Sequence, residues 1–185
     1  MIPTTPEVSG PPAPASCPAR RPPRRGVRLA RDVAAMLLLF ALVGAWQARG
    51  HLPAGSPLEA SLPTLAGPVQ SLRALQGKPV LLALWAPWCT VCKVEAQNLS
   101  WVQRLVGERA RVISVAAAYT ERAEVQAYVR EHGVDYPVLL GNDELLRELR
   151  VEAFPTVYFL DAAGRVKRSA AGYTTTAGLL WRLLL

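Results

Sequence analysis

Two cysteines three residues apart, Cys89 and Cys92, follow an uncharged apolar run, Val80-Leu81-Leu82-Ala83-Leu84, and precede a long amphipathic stretch. The apolar run, entered from Lys78-Pro79, reads as a buried central strand over Val80–Trp85. The stretch from Thr90 to Val106 reads as a helix ended by Gly107, with Val91, Val94, Leu99, Val102 and Val106 on or near one stripe. Strand, short loop and helix in that order put the cysteine pair at a helix N-terminus. There the unpaired backbone N–H groups and the positive dipole end favour a thiolate, the reactive form of cysteine. Cys89 falls at the exposed helix start, and Cys92 lies one turn in, on the same face and more buried. One sulfur can attack a partner's disulfide, and the other can displace the mixed disulfide that results.

Structural zinc sites use the same spacing, but they need a second ligand pair. The histidines here are His51 and His132, and the third cysteine is Cys17, all distant in sequence. Haem attachment requires a histidine after the second cysteine, where Lys93 stands. A purely structural disulfide would close a loop too small to restrain the unfolded chain much. Redox chemistry is the favoured reading, with no metal and no cofactor beyond the Cys89–Cys92 disulfide itself.

The chain has 185 residues and a formal charge of +7, which by itself would suit a nucleic-acid partner. The charge is unevenly placed: residues 1–52 carry +5 and residues 53–185 only +2. The basicity belongs to a tail, so no nucleic-acid partner is expected. Residues 1–31 hold an arginine cluster and eight of the 16 prolines without hydrophobic periodicity, and are expected to be a disordered basic cytoplasmic tail. Cys17 within them reads as a spare thiol.

Val33 to Trp46 is then free of charge over fourteen residues. With Arg31 and Arg49 snorkelling at its ends it reaches the lower bound of a spanning helix, so residues 32–50 are expected to be a transmembrane anchor. A cleaved signal peptide is the rival, although Ala45-Trp46-Gln47-Ala48 offers no clean small-x-small site. Both possibilities keep the arginines in the cytoplasm and export the chain beyond the apolar run. A single-pass protein of a bacterial inner membrane results, with a periplasmic catalytic domain in a compartment where disulfides persist. Residues 51–60 read as a linker and residues 61–185 as the exported domain.

Within that domain, Leu62 to Gln76 reads as a short extended piece, a turn at Ala66-Gly67-Pro68, a second extended piece and one helical turn. A strand over Arg111–Ala118 comes after the cysteine-bearing helix, then a helix over Glu121–His132 capped by Thr120 with Val125, Tyr128 and Val129 inward. His132 on its last turn reads as a favourable C-terminal charge or cap. Next come a short strand over Tyr136–Leu140, a helix over Glu144–Arg150 capped by Asp143, and Phe154-Pro155. A hairpin pairs Thr156–Leu160 with Arg165–Ala171. The chain closes on a helix over Thr174–Leu185 with Leu179, Leu180, Leu183 and Leu184 as core. The pattern predicts an α/β fold, a mixed central sheet flanked by helices.

Trp85-Ala86-x-Trp88-Cys89-x-x-Cys92 behind an apolar strand, with Phe154-Pro155-Thr156 before a hairpin, resembles the thioredoxin superfamily. The extra strand and helix at residues 134–150, Glu95 three residues past Cys92, and the N-terminal apolar run narrow the resemblance. It is to the membrane-tethered TlpA/ResA/DsbE-type thiol-disulfide oxidoreductases; within them, Val91 before Cys92 and the ending Gly172-Tyr173-Thr174-Thr175 with Gly178-Leu179 are similar to the branch associated with suppression of copper sensitivity. The resemblance covers residues 61–185 and implies a thioredoxin-like fold. It makes Cys89 the attacking thiol and Cys92 the resolving thiol. Pro155 becomes a cis-proline facing them, Phe154 supplies backbone that pairs with a substrate chain, and Trp88 flanks the site; an ordinary trans turn is the alternative for Phe154-Pro155. Ala83 stands where thioredoxins carry a buried Asp, so proton transfer at Cys92 falls to water or to Glu95, unless Glu95 is only an exposed helix residue. A peroxiredoxin would need Thr and Pro where Ala86 and Leu82 stand.

The function expected is disulfide exchange with exported proteins, more reducing than oxidising, with a membrane electron donor resetting the dithiol. The alternatives are an apocytochrome c reductase of cytochrome c maturation, and a copper- or zinc-binding dithiol protein without turnover.

Overall fold

The computed structural model describes residues 25–48 and 50–185. The proline-rich stretch before Arg25, including Cys17, lies outside the described residues. Helix α1 runs from Arg25 to Ala48, so it takes in Arg25, Arg28 and Arg31, which the sequence pattern placed in the tail. Among the described residues no helix is long and apolar enough to cross a membrane. Helix α1 overlaps the anchor expected over residues 32–50 without meeting that criterion.

From residue 51 onward the chain builds two sheets. Strands β1 (Ser61–Pro63) and β2 (Val69–Ser71) form an antiparallel pair around the Ala66-Gly67-Pro68 turn, with a 3-10 turn next at Leu72–Leu75. The main sheet contains β3 (Val80–Trp85), β4 (Arg111–Ala116), β5 (Val138–Leu140), β6 (Thr156–Leu160) and β7 (Val166–Ala171), in the order β5-β4-β3-β6-β7. β3, β4 and β5 are parallel, joined by helices α2 (Thr90–Val106) and α3 (Arg122–Glu131), whereas β6 and β7 run antiparallel as the hairpin. Helix α4 (Asp143–Glu148) precedes β6, and α5 (Thr176–Leu184) closes the chain. The mixed α/β sheet with flanking helices is the predicted fold.

Every residue of β3 is buried, as expected of a central strand covered on both faces. The period of two divides the core. Leu82, Leu84, Ile113, Val115, Leu139, Tyr158 and Leu160 pack with Leu62, Leu72, Leu75, Leu145 and Leu149 on one face. Leu81, Ala83, Val112, Val157 and Phe159 pack with Leu99, Val102 and Val106 of α2 and with Leu179 and Leu183 of α5 on the other.

Several local assignments shift, each for an identifiable reason. The inner stripe of α2 is Cys92, Glu95, Ala96, Leu99, Val102 and Val106, while Val91 and Val94 are exposed. Those two valines sit one and two positions off the 3.6-residue repeat that starts at Cys92. Helix α3 is capped by Glu121 instead of Thr120, and the Glu121 N–H donates in turn to Glu124 Oε1 at 3.2 Å. Helix α4 is capped by Asn142 instead of Asp143, because it is Asn142 Oδ1 that accepts the Leu145 N–H at 2.9 Å. In α5, Leu179 and Leu183 are core, but Leu184 is exposed.

Candidate active site

The site forms where β3 ends. Ala86 O accepts the Cys89 N–H at 3.1 Å, turning the chain sharply so that Cys89 becomes the N-cap of α2. Cys89 and Cys92 are joined as a disulfide, with Cα atoms 5.3 Å apart. Cys89 Sγ accepts the Cys92 N–H at 3.1 Å, which puts one of the helix's unpaired N–H groups on that sulfur. Both cysteines are buried, Cys92 at 2% exposure and Cys89 at 6%, so Cys89 is not the exposed residue the sequence pattern predicted: it packs at the helix start in the cluster that holds Trp85 and Ala86. Among the described residues no group of three or more His, Cys, Asp or Glu side chains is placed to hold a metal.

The hairpin delivers the second part. Thr156 pairs with Leu84 in antiparallel register, so Pro155 arrives beside the end of β3 where the cysteine loop begins. The Phe154–Pro155 bond is cis. Phe154 packs on the cluster that contains Trp85, Cys89, Cys92 and Ala96. Trp88 is 65% exposed and meets Phe154 edge-on, ring centroids 5.8 Å apart. Its indole Nε1 donates to Ala118 O at 2.8 Å, and Ala118 holds a left-handed φ of 51° after β4 to present that carbonyl.

Glu95 lies one turn below Cys92 and is buried to 1% exposure, which removes the reading of an exposed helix residue. Its Oε1 accepts the Thr174 N–H at 3.0 Å, and Asn98 of the same helix donates to Thr174 O at 3.0 Å. α2 thereby holds both the N–H and the C=O of Thr174 in the loop leading to α5. Burial raises the Glu95 carboxyl from the ordinary range to about 7, against the opposing pull of the Thr174 N–H.

Sequence reasoning passed over the aromatic floor beside the dithiol. Trp85 stacks on Tyr128 of α3 at 4.0 Å between centroids, and His132 meets Tyr128 edge-on at 4.5 Å. Tyr128 titrates far above its usual range, through burial first and the nearby Glu95 carboxylate second. Among the described residues, Trp85 Nε1 and His132 Nε2 are buried without a hydrogen-bond partner. The sequence signal for this floor was the spacing of Val125, Tyr128 and His132 along one face of α3. Thr174 carried no signal, because its contribution is a backbone N–H.

A dithiol at a helix head beside a cis-proline, on a mixed sheet covered by helices, defines the thioredoxin-like thiol-disulfide oxidoreductases. Residues 56–169 match the model of the AhpC/TSA family, and the chain belongs to that family. It is 31% identical over 117 residues to the thioredoxin-like protein YneN of Bacillus subtilis, an alignment covering 62% of this chain and 69% of that one. It is 32% identical over 99 residues to the thiol:disulfide interchange protein DsbE of Escherichia coli, covering 52% and 51% of the two chains. The chain thus spans between half and about two thirds of the length of these curated relatives. A crystal structure from Chlorobium tepidum, described as a DsbE-type thiol:disulfide interchange protein, superposes with a TM-score of 0.67 at 21% identity, over 72% of this chain and 96% of that one. At that identity it speaks for the fold alone. Site and relatives together make this a thioredoxin-like chain similar to thiol-disulfide oxidoreductases of the DsbE/ResA type.

Proposed function

We propose that the chain reduces disulfides of exported proteins, using no cofactor beyond its own cysteine pair. The observation that carries this reading is the buried Glu95 one turn below Cys92, poised at about 7. In the reduced enzyme, Cys89 thiolate attacks one sulfur of a client disulfide. The Cys89–client bond forms, the client S–S bond breaks, and the first client sulfur leaves as a thiolate. Glu95, ionised, takes the Cys92 proton through water or directly, and the Cys92 thiolate attacks Cys89 Sγ. The Cys89–Cys92 disulfide closes, the second client thiolate leaves, and two electrons have passed to the client. A carboxyl near 7 suits that exchange, since it can accept and return a proton around neutrality.

The cis Phe154–Pro155 segment and the exposed Trp88 flank the dithiol, and their role in this mechanism is to hold the client backbone. The reducing direction is supported by how little holds a Cys89 thiolate. Among the described residues the hydrogen bond to its sulfur comes from the Cys92 N–H, and Thr90-Val91 between the cysteines adds neither charge nor imidazole. A strong oxidant needs a heavily stabilised reduced form. A donor at the membrane would return the dithiol to its reduced state. Membrane attachment through α1 belongs to the same proposal, supported by the uncharged run from Val33 to Trp46 and by the exposed Met36, Leu37, Leu38, Leu39 and Leu42.

One experiment tests nucleophile, clients and location together. Full-length Cys92→Ser, expressed in bacteria, is expected to trap Cys89 as reducible high-mass adducts with exported proteins in the membrane fraction, and Cys89→Ser is expected to give almost none. Adducts formed by Cys92 alone, or no adducts from either variant, would refute the mechanism. Adducts with cytosolic proteins in the soluble fraction would refute the location.

A further inference from the structure

Away from the dithiol, one hollow collects positive charge without a matching acid. Its volume is about 520 Å3, and it is lined by His51, Arg150, Lys167, Arg168, Ser169 and Arg182, with Leu52 to Ala54 along one wall. Four of these residues are cations and none is acidic. Among the described residues no ion pair involves any of the four. Two of them already donate to a main-chain oxygen: Lys167 Nζ to a terminal oxygen of Leu185, the last residue of the sequence, at 2.6 Å, and Arg182 Nη1 to Gly178 O at 3.3 Å. Like charges around one concavity repel each other, and its low-dielectric walls focus their field on whatever enters.

The neutral part of the hollow is buried and hydrogen-bonded. His51 is 6% exposed, and its Nδ1 lies 2.9 Å from Ser169 Oγ. Beneath it, Tyr158 Oη accepts the Leu52 N–H at 3.4 Å and donates to Leu149 O. Glu152 is the acid near His51, beside Gly50, but it does not line the hollow. Arg150 adds a separate observation. It comes directly after Leu149, the C-cap of α4, with a φ of 52°, a left-handed position where helices usually place glycine or asparagine. An arginine is costly for the backbone there, and what the position retains is the guanidinium at the rim of the hollow.

We propose that this hollow binds a phosphate-class anion. The guanidinium groups of Arg150, Arg168 and Arg182 supply planar forked donors that fit phosphate oxygens. Lys167 adds a point charge, and the Ser169–His51 pair supplies neutral partners. Two sources present this chemistry: a free phosphate ester, or the headgroup of an anionic phospholipid. His51 stands three residues past the end of α1, within about 10 Å of extended chain, so the hollow is tethered close to that end of the helix. The site itself does not depend on the function assigned to the dithiol.

Thermal unfolding of the full chain in a neutral detergent tests the proposal. In one arm sodium phosphate replaces sodium chloride at constant ionic strength. In the other, phosphatidylglycerol replaces phosphatidylcholine in the micelles. A saturable rise in the midpoint is expected, about 5 °C or more once the ligand reaches a hundredfold excess over its Kd. Arg150→Gly frees the left-handed backbone, so its midpoint without ligand should equal or exceed that of the parent chain, while its ligand-induced rise falls several-fold. Arg168→Gln should lose the rise in the same way with no backbone effect. A rise with the lipid alone assigns the site to a headgroup, and a rise with inorganic phosphate shows that a free phosphate suffices. No rise with either probe, or a rise that both variants keep in full, overturns the proposal.

Discussion

The two faces of the main sheet are built to different rules. On the face covered by Leu62, Leu72, Leu75, Leu145 and Leu149, the buried polar side chains have partners: Tyr158 Oη donates to Leu149 O, Thr156 Oγ1 donates to Ala153 O, and His51 Nδ1 lies 2.9 Å from Ser169 Oγ. On the face covered by α2 and α3, the disulfide shares its surroundings with the buried Glu95 carboxyl and with a Trp85 indole N–H that has no partner among the described residues, and Tyr128 passes from Trp85 to His132, whose Nε2 likewise has none among them. Buried polar groups without partners cost stability, and they gather where a protein needs chemistry. One face holds the fold together, and the other holds groups out of their preferred solvation near two reactive sulfurs. Stability and exchange chemistry should therefore be separable by mutation.

The largest expected effect tests the apolar face. Leu82 is fully buried there, and Leu82→Ala removes three carbons and leaves a cavity. Urea unfolding should show a loss of about 2–5 kcal/mol, while the exchange rate per folded molecule stays near that of the parent chain. A large fall in that rate would mean that the two faces are mechanically coupled.

Glu95→Gln tests the other face, with a smaller effect that depends on pH. The raised carboxyl makes the folded state bind more protons than the unfolded state between the ordinary value of 4.5 and about 7. Stability therefore falls as pH rises through that window, and the full cost of the ionised group, about 3 kcal/mol, is present above it. Glutamine keeps an oxygen for the Thr174 N–H and cannot ionise. The variant should match the parent below pH 4.5, exceed it by up to about 3 kcal/mol at pH 8, and close its dithiol more slowly around neutrality. A stability difference that ignores pH would show that Glu95 does not titrate in this window.

The smallest effect is expected at the rim. Trp88→Phe loses the bond to Ala118 O but keeps a ring against Phe154, so the stability loss should stay at about 1 kcal/mol or less. The exposed indole surface also goes, so KM for a protein disulfide should rise while that for a small disulfide does not. An equal change for both would mean that Trp88 acts on the cysteines and not on the client.

Legibility tracked the range over which each feature is encoded. β3, the span of α2 and the hairpin were readable because apolar runs, a terminating glycine and a turn lie within a few residues of one another. The inward face of α2 was misread at Val91 and Val94, since apolar character alone ranks a valine above a glutamate. Starting the repeat at Cys92, which has to face the site, gives Ala96, Leu99, Val102 and Val106 with Glu95 among them. Cap positions slipped by one residue at Glu121 and Asn142 because neighbouring polar side chains compete, and only the backbone path decides which oxygen reaches an N–H.

The sequence by itself determined the dithiol, its place at a helix start and the strand-helix order that makes a mixed sheet. These are local patterns of hydrophobicity and turn chemistry, written in contiguous residues. Tertiary structure alone decided that Glu95 is buried, that the Thr174 backbone holds it, that Trp85 stacks on Tyr128, and that Arg150, Lys167, Arg168 and Arg182 share one hollow with His51. Each of those groupings joins residues that are tens of positions apart in the chain. Their chemistry depends on desolvation and on distance through space, and neither quantity exists until the sheet has brought its strands together.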